Sequence, residues 1–284
     1  MKYIKFQDKK GTFTIQSPEN DSGLYFPLAG DGGLKSSITP NLGGDSKTDQ
    51  NHFLLEPVSI ENLHNNRSTR NFWCRTEGKG CWSATGISAE QELQKFTEAQ
   101  DKSILEAGFM WQKVTRTSAK YGLQSEITSF VAVDGAVEIE LVRIKNISEE
   151  VTKITPIAAI PLYGRSADNI RDHRHVTSLL HRINTTEYGV EVTPVLSFDE
   201  RGHQKNHTTY FVYGYSEKGD APEAFYPTVQ EFIGEGGTYL NPEAVRKNKP
   251  GRMAGSRVEG KEAMGGIRFA DVELKPQETA GFII

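Results

Sequence analysis

The sequence contains little cysteine, no long hydrophobic run and no excess of positive charge. Two cysteines among 284 residues exclude a disulfide framework and a four-cysteine metal site. The most apolar run, residues 154–162, is too short to span a bilayer and contains two prolines. With 33 Lys and Arg against 37 Asp and Glu, the formal net charge is −4, whereas non-specific binding of nucleic acid needs a basic surface. We therefore expect neither a membrane nor a nucleic acid as a partner.

The chain is nevertheless rich enough in large apolar residues to fold. Its 14 Phe, 10 Tyr and 3 Trp argue against disorder. Because no fixed-period repeat and no linker are visible, we predict one domain over residues 1–284. The amino terminus lacks the apolar core of a signal peptide, so we expect a cytoplasmic protein. Cys74 and Cys81, which could face each other across a hairpin, should then stay reduced.

Alternating apolar and polar residues predict a mostly β structure. Residues 124–133 alternate, Asp134-Gly135 is a strong hairpin signal, and residues 136–145 return with Glu138 and Glu140 on the face opposite their apolar residues. Residues 151–162 are predicted as the third strand of this meander. Further strands are predicted at residues 188–195, 208–215, 265–272 and 279–284. The pattern predicts an all-β fold, a large antiparallel β-sandwich.

One or two short helices are predicted besides the strands. Ser88, followed three residues later by Gln91, fits a capping box. Asn241 before Pro242 offers an N-cap followed by proline at the first helical position. The last predicted strand runs into Ile284 without a polar tail, and chain ends usually fray in polar residues. We therefore expect the natural polypeptide to continue.

A dense polar cluster, residues 163–175, follows the third predicted strand. It holds three Arg, two His and two Asp. Such groups suit sugar hydroxyls, and binding groups concentrate on loops that rigid sheets carry. A solvated loop with internal ion pairs explains the composition equally well. A metal site built from His173, His175 and His181 is a weaker alternative, because arginines flank the first two histidines.

Two further kinds of segment have a structural and a functional interpretation. Residues 65–73 could form a polar rim with an aromatic platform, although Phe72, Trp73 and Trp82 are better explained as core. The two glycine-rich segments, residues 30–34 and 41–45, are better explained as tight hairpin turns than as phosphate loops. No carboxylate pair can be chosen among 37 acids, so no catalytic residue is assigned.

Seven segments carry a family resemblance. They are residues 25–30, 37–45, 66–73, 80–83, 122–162, 265–269 and 274–278. In this order they resemble the amino-terminal β-sandwich domain of the inverting phosphorylases of glycoside hydrolase family 94, such as cellobiose, laminaribiose and chitobiose phosphorylases. Within the family the chain looks closest to the enzymes for laminaribiose or longer β-glucans. The implied fold is the super-sandwich related to galactose mutarotase.

The resemblance implies a part of an enzyme. Enzymes of the family join the sandwich to an (α/α)₆ barrel, in which inorganic phosphate is the co-substrate and an Asp acts as the general acid. Nothing in this sequence corresponds to the barrel. We therefore expect a domain or fragment that is inactive alone, needs no cofactor and contributes to a homodimer that acts on β-linked gluco-oligosaccharides.

The resemblance also suggests which residues face the acceptor sugar. In the family, the loop after the strand that matches residues 154–162 reaches the acceptor subsite of the neighbouring subunit, and a Gly-Gly turn approaches the sugar. The candidates on these segments are Asp45, Arg165, Asp168, Asn169, Arg171, Asp172, His173 and His175. Two alternatives stay open: a self-contained carbohydrate-binding module, and a mutarotase-like sugar epimerase that needs a His and a Glu in one cleft.

Overall fold

The computed structural model describes residues 4–21, 23–59, 69–199 and 202–284. Within these ranges there are 24 strands and four short α-helices. The strands are, in chain order, β1 (Lys5–Phe6), β2 (Phe13–Gln16), β3 (Phe26–Ala29), β4 (Lys35–Ile38), β5 (Ser46–Asp49), β6 (His52–Phe53), β7 (Asn71–Thr76), β8 (Gly80–Ser83), β9 (Lys102–Gly108), β10 (Trp111–Ser118), β11 (Leu123–Val131), β12 (Glu138–Asn146), β13 (Thr152–Pro161), β14 (Arg182–Thr185), β15 (Gly189–Val192), β16 (Leu196–Asp199), β17 (Gly202–Lys205), β18 (Tyr210–Tyr213), β19 (Tyr215–Ser216), β20 (Ala224–Thr228), β21 (Arg257–Glu259), β22 (Ala263–Arg268), β23 (Val272–Leu274) and β24 (Thr279–Ile283). The helices are α1 (Ala89–Gln94), α2 (Arg174–Ser178), α3 (Val229–Ile233) and α4 (Glu243–Arg246).

Two antiparallel sheets form the body of the molecule. The first has the order β1-β2-β9-β10-β11-β12-β24-β19, and the second has the order β20-β22-β13-β7-β8 with β23 beside β13. One buried apolar cluster contains Ile127 and Val142 of the first sheet together with Phe72, Ala158 and Ile267 of the second. Because this cluster joins the inner faces of both sheets, the predicted all-β sandwich is confirmed. Three smaller antiparallel sheets complete the fold: β3-β4-β5-β6, β18-β15-β14-β21 and β16-β17.

The hairpin of β11 and β12 confirms the strongest local prediction. Its register runs from Leu123 opposite Asn146 to Val131 opposite Glu138. Ile127 and Val131 of β11 are buried, as alternation requires. The buried face of β12 is the one that carries Glu138 and Glu140, so two carboxyl groups point into the molecule.

The third predicted strand forms, but it does not continue the meander. β13 lies in the second sheet, between β7 and β22. The edge of β12 that was expected to receive it is occupied by β24, which pairs Thr279 with Lys145. Almost every residue of β13 is buried, and a strand with no exposed face needs a central place in a sheet that is covered on both sides.

The outer cover of the second sheet is helical. Phe232 of α3 and Val245 of α4 form a buried cluster with Trp73, Ile157 and Tyr226 of the sheet. The prediction of one or two helices was therefore too low. No helix in the described ranges has both the length and the apolarity needed to cross a membrane.

The two predicted helix starts differ in accuracy. Ser88 caps α1 as expected, because its Oγ accepts a hydrogen bond from the Gln91 N–H at 3.1 Å. At α4 the N-cap is Pro242, one residue after the predicted Asn241.

The two thiols do not face each other. In the β7–β8 hairpin Cys74 lies opposite Trp82, and Cys81 lies opposite Arg75. Successive residues of a strand point to opposite faces, so the two sulfur atoms belong to different faces of the sheet. Both cysteines are free.

Candidate functional site

The polar cluster after β13 folds into two helical turns. Residues Ala167–Arg171 form a 3₁₀ turn, and α2 begins at Arg174. The segment is fixed to β6 and the residues just before it: the Phe53 N–H donates to the Arg165 carbonyl at 2.9 Å, and the Ala167 N–H donates to the Gln50 carbonyl at 2.8 Å. These bonds make the segment a docked element rather than a solvated loop.

Arg174 anchors this segment through two carboxylates from distant parts of the chain. Its guanidinium forms an ion pair with Glu56, and its Nη1 lies 3.6 Å from Oε1 of Glu262. Both carboxylates are mostly buried, so solvent screens the pairs less than it would on an open surface. We call Glu56, Arg174 and Glu262 the carboxylate clamp.

Arg165 and His181 lie buried behind the clamp. The guanidinium of Arg165 lies 5.3 Å from the centre of the Tyr163 ring, and burial lowers its pKa. His181 donates from Nδ1 to the Lys261 carbonyl at 3.2 Å. Burial, and then the nearby Arg165 charge, lowers the pKa of His181 to about 3, so the imidazole is neutral.

A small cavity lies against the clamp. Its volume is about 20 Å³, and Glu56, Arg165, Arg174 and Glu262 are among the residues that line it. The Nε atom of Arg165 has no hydrogen-bond partner among the described residues. A cavity of this size is large enough for one water molecule.

A larger groove lies on the other side of the clamp, between α2 and α3. Its volume is about 420 Å³. Its polar lining comes from Arg174, His175, Ser178, Thr228, Gln230, Glu235, Lys261 and Glu262. We call it the α2–α3 groove. Carboxylates that accept hydrogen bonds stand here beside cationic and amide groups that donate them, which suits a ligand with several hydroxyl groups.

Only part of the predicted acceptor set reaches this groove. His175 lines it, and Arg165 supports it from behind. Asn169 is buried and donates from Nδ2 to Asp172 at 2.7 Å, so both hold the 3₁₀ turn in shape. The remaining members of the loop set are exposed and line neither the groove nor the small cavity: Asp168, Arg171 and His173.

Asp45 belongs to a different cavity. It follows the tight turn of residues 41–44 and lines a cavity of about 370 Å³ together with Tyr25, Lys35 and Val58. Its carboxylate accepts from the Ser37 hydroxyl at 2.8 Å and from the Val58 N–H at 3.3 Å. The structure therefore does not bring Asp45 and the α2 segment together in one cavity.

The other sequence-based interpretations have clear outcomes. Phe72, Trp73 and Trp82 are buried core, as favoured. Residues 60–68, including Asn66 of the predicted polar rim, lie outside the described residues. Among the residues described, no three His, Cys, Asp or Glu side chains are placed to hold a metal ion. His173 is the N-cap of α2 and His175 lies in its first turn, so the two do not share a strand face.

Sequence reasoning missed two sets of buried charges. The carboxylate clamp depends on contacts between positions 56, 174 and 262, which no local pattern links. The second set is an ion pair between Arg70 and Glu138 with Glu140 beside it, buried under the first sheet. A local signal for the second set existed, because Glu138 and Glu140 lie two residues apart in an apolar strand and so share one face.

Comparison with known proteins agrees with this architecture. A search of curated proteins found no match to the chain. The family profile described as the glycosyl hydrolase 94 supersandwich domain matches residues 29–284, which is most of the sequence. The chain therefore belongs to the family of glycosyl hydrolase 94 supersandwich domains.

Proposed function

We propose that this chain is the sandwich domain of a glycoside phosphorylase that acts on β-linked gluco-oligosaccharides with inorganic phosphate. The domain is inactive alone and helps to shape the acceptor-sugar side of the complete site. The α2–α3 groove is the observation that supports this role best, because it offers donors and acceptors suited to sugar hydroxyls. Membership of the glycosyl hydrolase 94 family supports the link to carbohydrate chemistry.

The groove divides its polar groups between anchoring and recognition. Arg174 and Glu262 hold each other, so their charges are largely used within the protein. His175, Gln230 and Glu235 line the groove outside that pair. In this proposal they meet the acceptor sugar, while Asp168, Arg171 and His173, which lie outside the groove, do not.

The proposal includes a partner and a location. As in the family that the sequence resembles, the chain would act in a cytoplasmic homodimer, and a separate helical barrel would supply the general acid and the phosphate site. Within the described residues there are only short helices, so the chemistry is assigned to that other part.

The first experiment tests whether the chain is catalytic. The purified chain is incubated with laminaribiose or cellobiose and inorganic phosphate, and sugar phosphate release is measured. We expect no phosphate-dependent release. Turnover by the purified chain would overturn the proposal, because the family chemistry would then not require a barrel.

The same preparation separates the proposal from a carbohydrate-binding module. Laminari- and cello-oligosaccharides are titrated into the chain in a calorimeter. A domain that forms only one side of an acceptor subsite should bind more weakly than millimolar. Millimolar or tighter binding that is lost in Gln230→Ala would identify a self-contained module instead.

A mutarotase-like activity is the second candidate. His175 shares the α2–α3 groove with Glu235 and Glu262, which is the combination that such an epimerase needs. The coupled assay for interconversion of glucose anomers tests it at neutral pH. Activity that His175→Ala abolishes and His173→Ala leaves intact would favour this candidate, whereas no activity above the uncatalysed rate supports the phosphorylase domain.

A further inference from the structure

The outer face of the first sheet carries a row of large apolar side chains. Residues of β10 and β11 alternate between buried and half-buried, so one face of these strands packs on the core and the other points outward. Trp111 and Phe130 are on the outward face and lie directly opposite each other. Phe130 also lies opposite Ile139 of β12. Because residues that are paired across strands point to the same side, these three side chains lie side by side.

The strand β12 has its polarity inverted relative to a strand that faces water. Glu138 and Glu140 point inward, and their side chains are only 8% and 6% exposed. Ile139 and Leu141 point outward and are half-buried. Antiparallel sheets that face water on one side normally place apolar residues inward and polar residues outward. The inversion therefore indicates that the outer face of β12 is covered by another surface.

The apolar area extends beyond these three strands. Leu141 lies opposite Ile283 of β24. The turns that follow β9 and β11 meet at the same end of the sheet, next to the row described above. They carry Phe109, which is 84% exposed, and Val133, which is 71% exposed. We call the outward side of β9, β10, β11, β12 and β24, together with these two turns, the outer sheet face.

The size of the outer sheet face matches that of a stable protein interface. Its five neighbouring strands, four of them seven to nine residues long, make a surface about 24 Å wide and about 27 Å long. The resulting area of about 650 Å², with the two turns added, approaches the roughly 800 Å² that each partner contributes to a standard interface. Its apolar side chains are grouped at one end with polar and charged residues beside them, which is the anatomy of an interface core and rim.

The charges next to the apolar row are paired within the face. Nζ of Lys113 lies 3.8 Å from Glu106 and 3.9 Å from Glu126. Arg143 donates from Nε to Glu217 at 3.1 Å. A nucleic acid or an anionic membrane would need unpaired positive charge, and a strongly charged protein would need a face of one sign. A second copy of the same face meets this balanced pattern without net repulsion.

We propose that the outer sheet face is a dimer interface, against which the same face of a second copy of this chain packs about a two-fold axis. Two sheets packed in this way lie about 10 Å apart, and their strands cross at about 30°. In a two-fold dimer each apolar row covers the corresponding area of its partner. The inference rests on the homodimer of the proposed function and deepens it, because it names the surface through which two sandwich domains associate.

Sedimentation equilibrium of the purified chain tests the association. Interfaces of standard size have micromolar or lower dissociation constants, so the chain should be mainly dimeric at about 100 µM. Phe130→Lys places a charge in the apolar centre of both copies and should weaken the dimer at least about tenfold. Thr128→Arg, two residues away on the same face, should act in the same direction and keeps the test valid if Phe130→Lys fails to fold.

Phe96→Lys is the matched control, because it makes the same exchange at a residue that is 78% exposed and lies outside the first sheet. It should leave the dissociation constant of the dimer unchanged. A dimer that persists in Phe130→Lys and Thr128→Arg would overturn the inference while leaving the homodimer of the proposed function in place. A chain that stays monomeric at the same concentration would overturn both the interface and the homodimer. The assignment as a phosphorylase domain would still stand or fall by the assay for phosphate-dependent release.

Trp111 reports whether the proposed face is the one that is covered. Acrylamide should quench its fluorescence in the monomer at low protein concentration and quench it less in the dimer, while Trp73 and Trp82 are buried in both. In Phe130→Lys the quenching should stay high at every protein concentration. A monomer in which only phospholipid vesicles or laminari-oligosaccharides protect Trp111 would assign the face to a different occupant and would contradict the proposal.

Discussion

Neutral His181 supports the clamp from within the core. Its Nδ1 donates to the Lys261 carbonyl in the turn after β21, and its buried environment disfavours the charged form. Between pH 7 and pH 5 the imidazole therefore takes up a proton only when the chain is unfolded. A group of this kind makes the stability of the fold depend on pH in a predictable direction.

We expect His181 to destabilise the fold as the pH falls from 7 to 5. The pKa of the histidine is about 3 in the fold and about 6.5 when unperturbed, so only the unfolded chain takes up the proton in this range. The free energy of unfolding should fall by about 2 kcal/mol from this residue. Urea unfolding of wild type and His181→Gln at pH 7 and pH 5 measures it.

The control for this prediction is an exposed histidine. His175→Gln should keep the pH dependence of wild type, because His175 is exposed. If His181→Gln loses as much stability between pH 7 and pH 5 as wild type does, another group causes the effect.

Single residues could be predicted only where local chemistry determines them. The polar cluster after β13 could be recognised from composition, and His175 does line a groove. Asp172 and Asn169 have equally suggestive side chains, yet they bond each other. Which polar residue faces a groove depends on the turn in which it lies, and residue type does not specify that turn.

At the scale of elements, the turn before Asp45 depends on a positive φ at Gly44, a backbone conformation that residues with a side chain rarely adopt. Gly44 has φ +115°, and a Cβ atom there would lie 2.0 Å from the Ser37 carbonyl oxygen. Gly33, in the preceding hairpin, has a similar φ of +92° but has no atom within 4 Å of the added Cβ. Alanine substitutions at the two positions therefore share the backbone strain, and only the one at Gly44 adds a steric clash.

We expect Gly44→Ala to destabilise the protein more than Gly33→Ala. The backbone strain alone is about 1–3 kcal/mol and is common to both variants, while the clash with Ser37 affects only the first. Denaturant unfolding of the two variants gives the difference. Equal losses of stability would show that β4 and β5 move apart freely and that the turn does not hold Asp45 in place.

Elements were predictable where one short stretch carries the whole signal. The Asp134-Gly135 turn and the Ser88 cap both have such signals, and β11, β12 and α1 formed as expected. The start of α3 has the same kind of signal, since Thr228 accepts from the Glu231 N–H at 3.2 Å, so this helix was recognisable. α2 has no side-chain cap, and no local pattern announces it.

At the scale of the molecule, the two large sheets share one core. Apolar residues from both sheets and from the β18-β15-β14-β21 sheet belong to one buried cluster. Trp73 and Trp82 lie in the second sheet and Trp111 lies in the first, so tryptophan fluorescence reports on both sheets.

We expect the whole chain to unfold in one transition. A continuous core cannot lose one sheet without exposing the apolar face of the other. Urea unfolding followed by tryptophan fluorescence and by far-ultraviolet circular dichroism should give the same midpoint. Two separate midpoints would contradict a single cooperative unit.

Sheet membership was beyond sequence reasoning. Strand β13 has the pattern of a buried strand, but its partners β7 and β22 lie far from it in the chain. Short connections usually join neighbours, which made a meander the natural prediction. Competition from β24 for the edge of β12 decides the outcome, and that competition involves residues more than a hundred positions away.

The carboxylate clamp has a consequence for how this fold can diversify. Arg174 pairs with Glu56 and with Glu262, which come from remote stretches of the chain, so replacing Arg174 leaves two mostly buried carboxylates without their shared cation. The neighbouring His175, Gln230 and Glu235 take no part in these ion pairs. Substitution of those three side chains can therefore change which ligands bind in the α2–α3 groove while the carboxylate clamp stays intact. Selection for new ligands can thus act on a few positions without disturbing the ion pairs beside them.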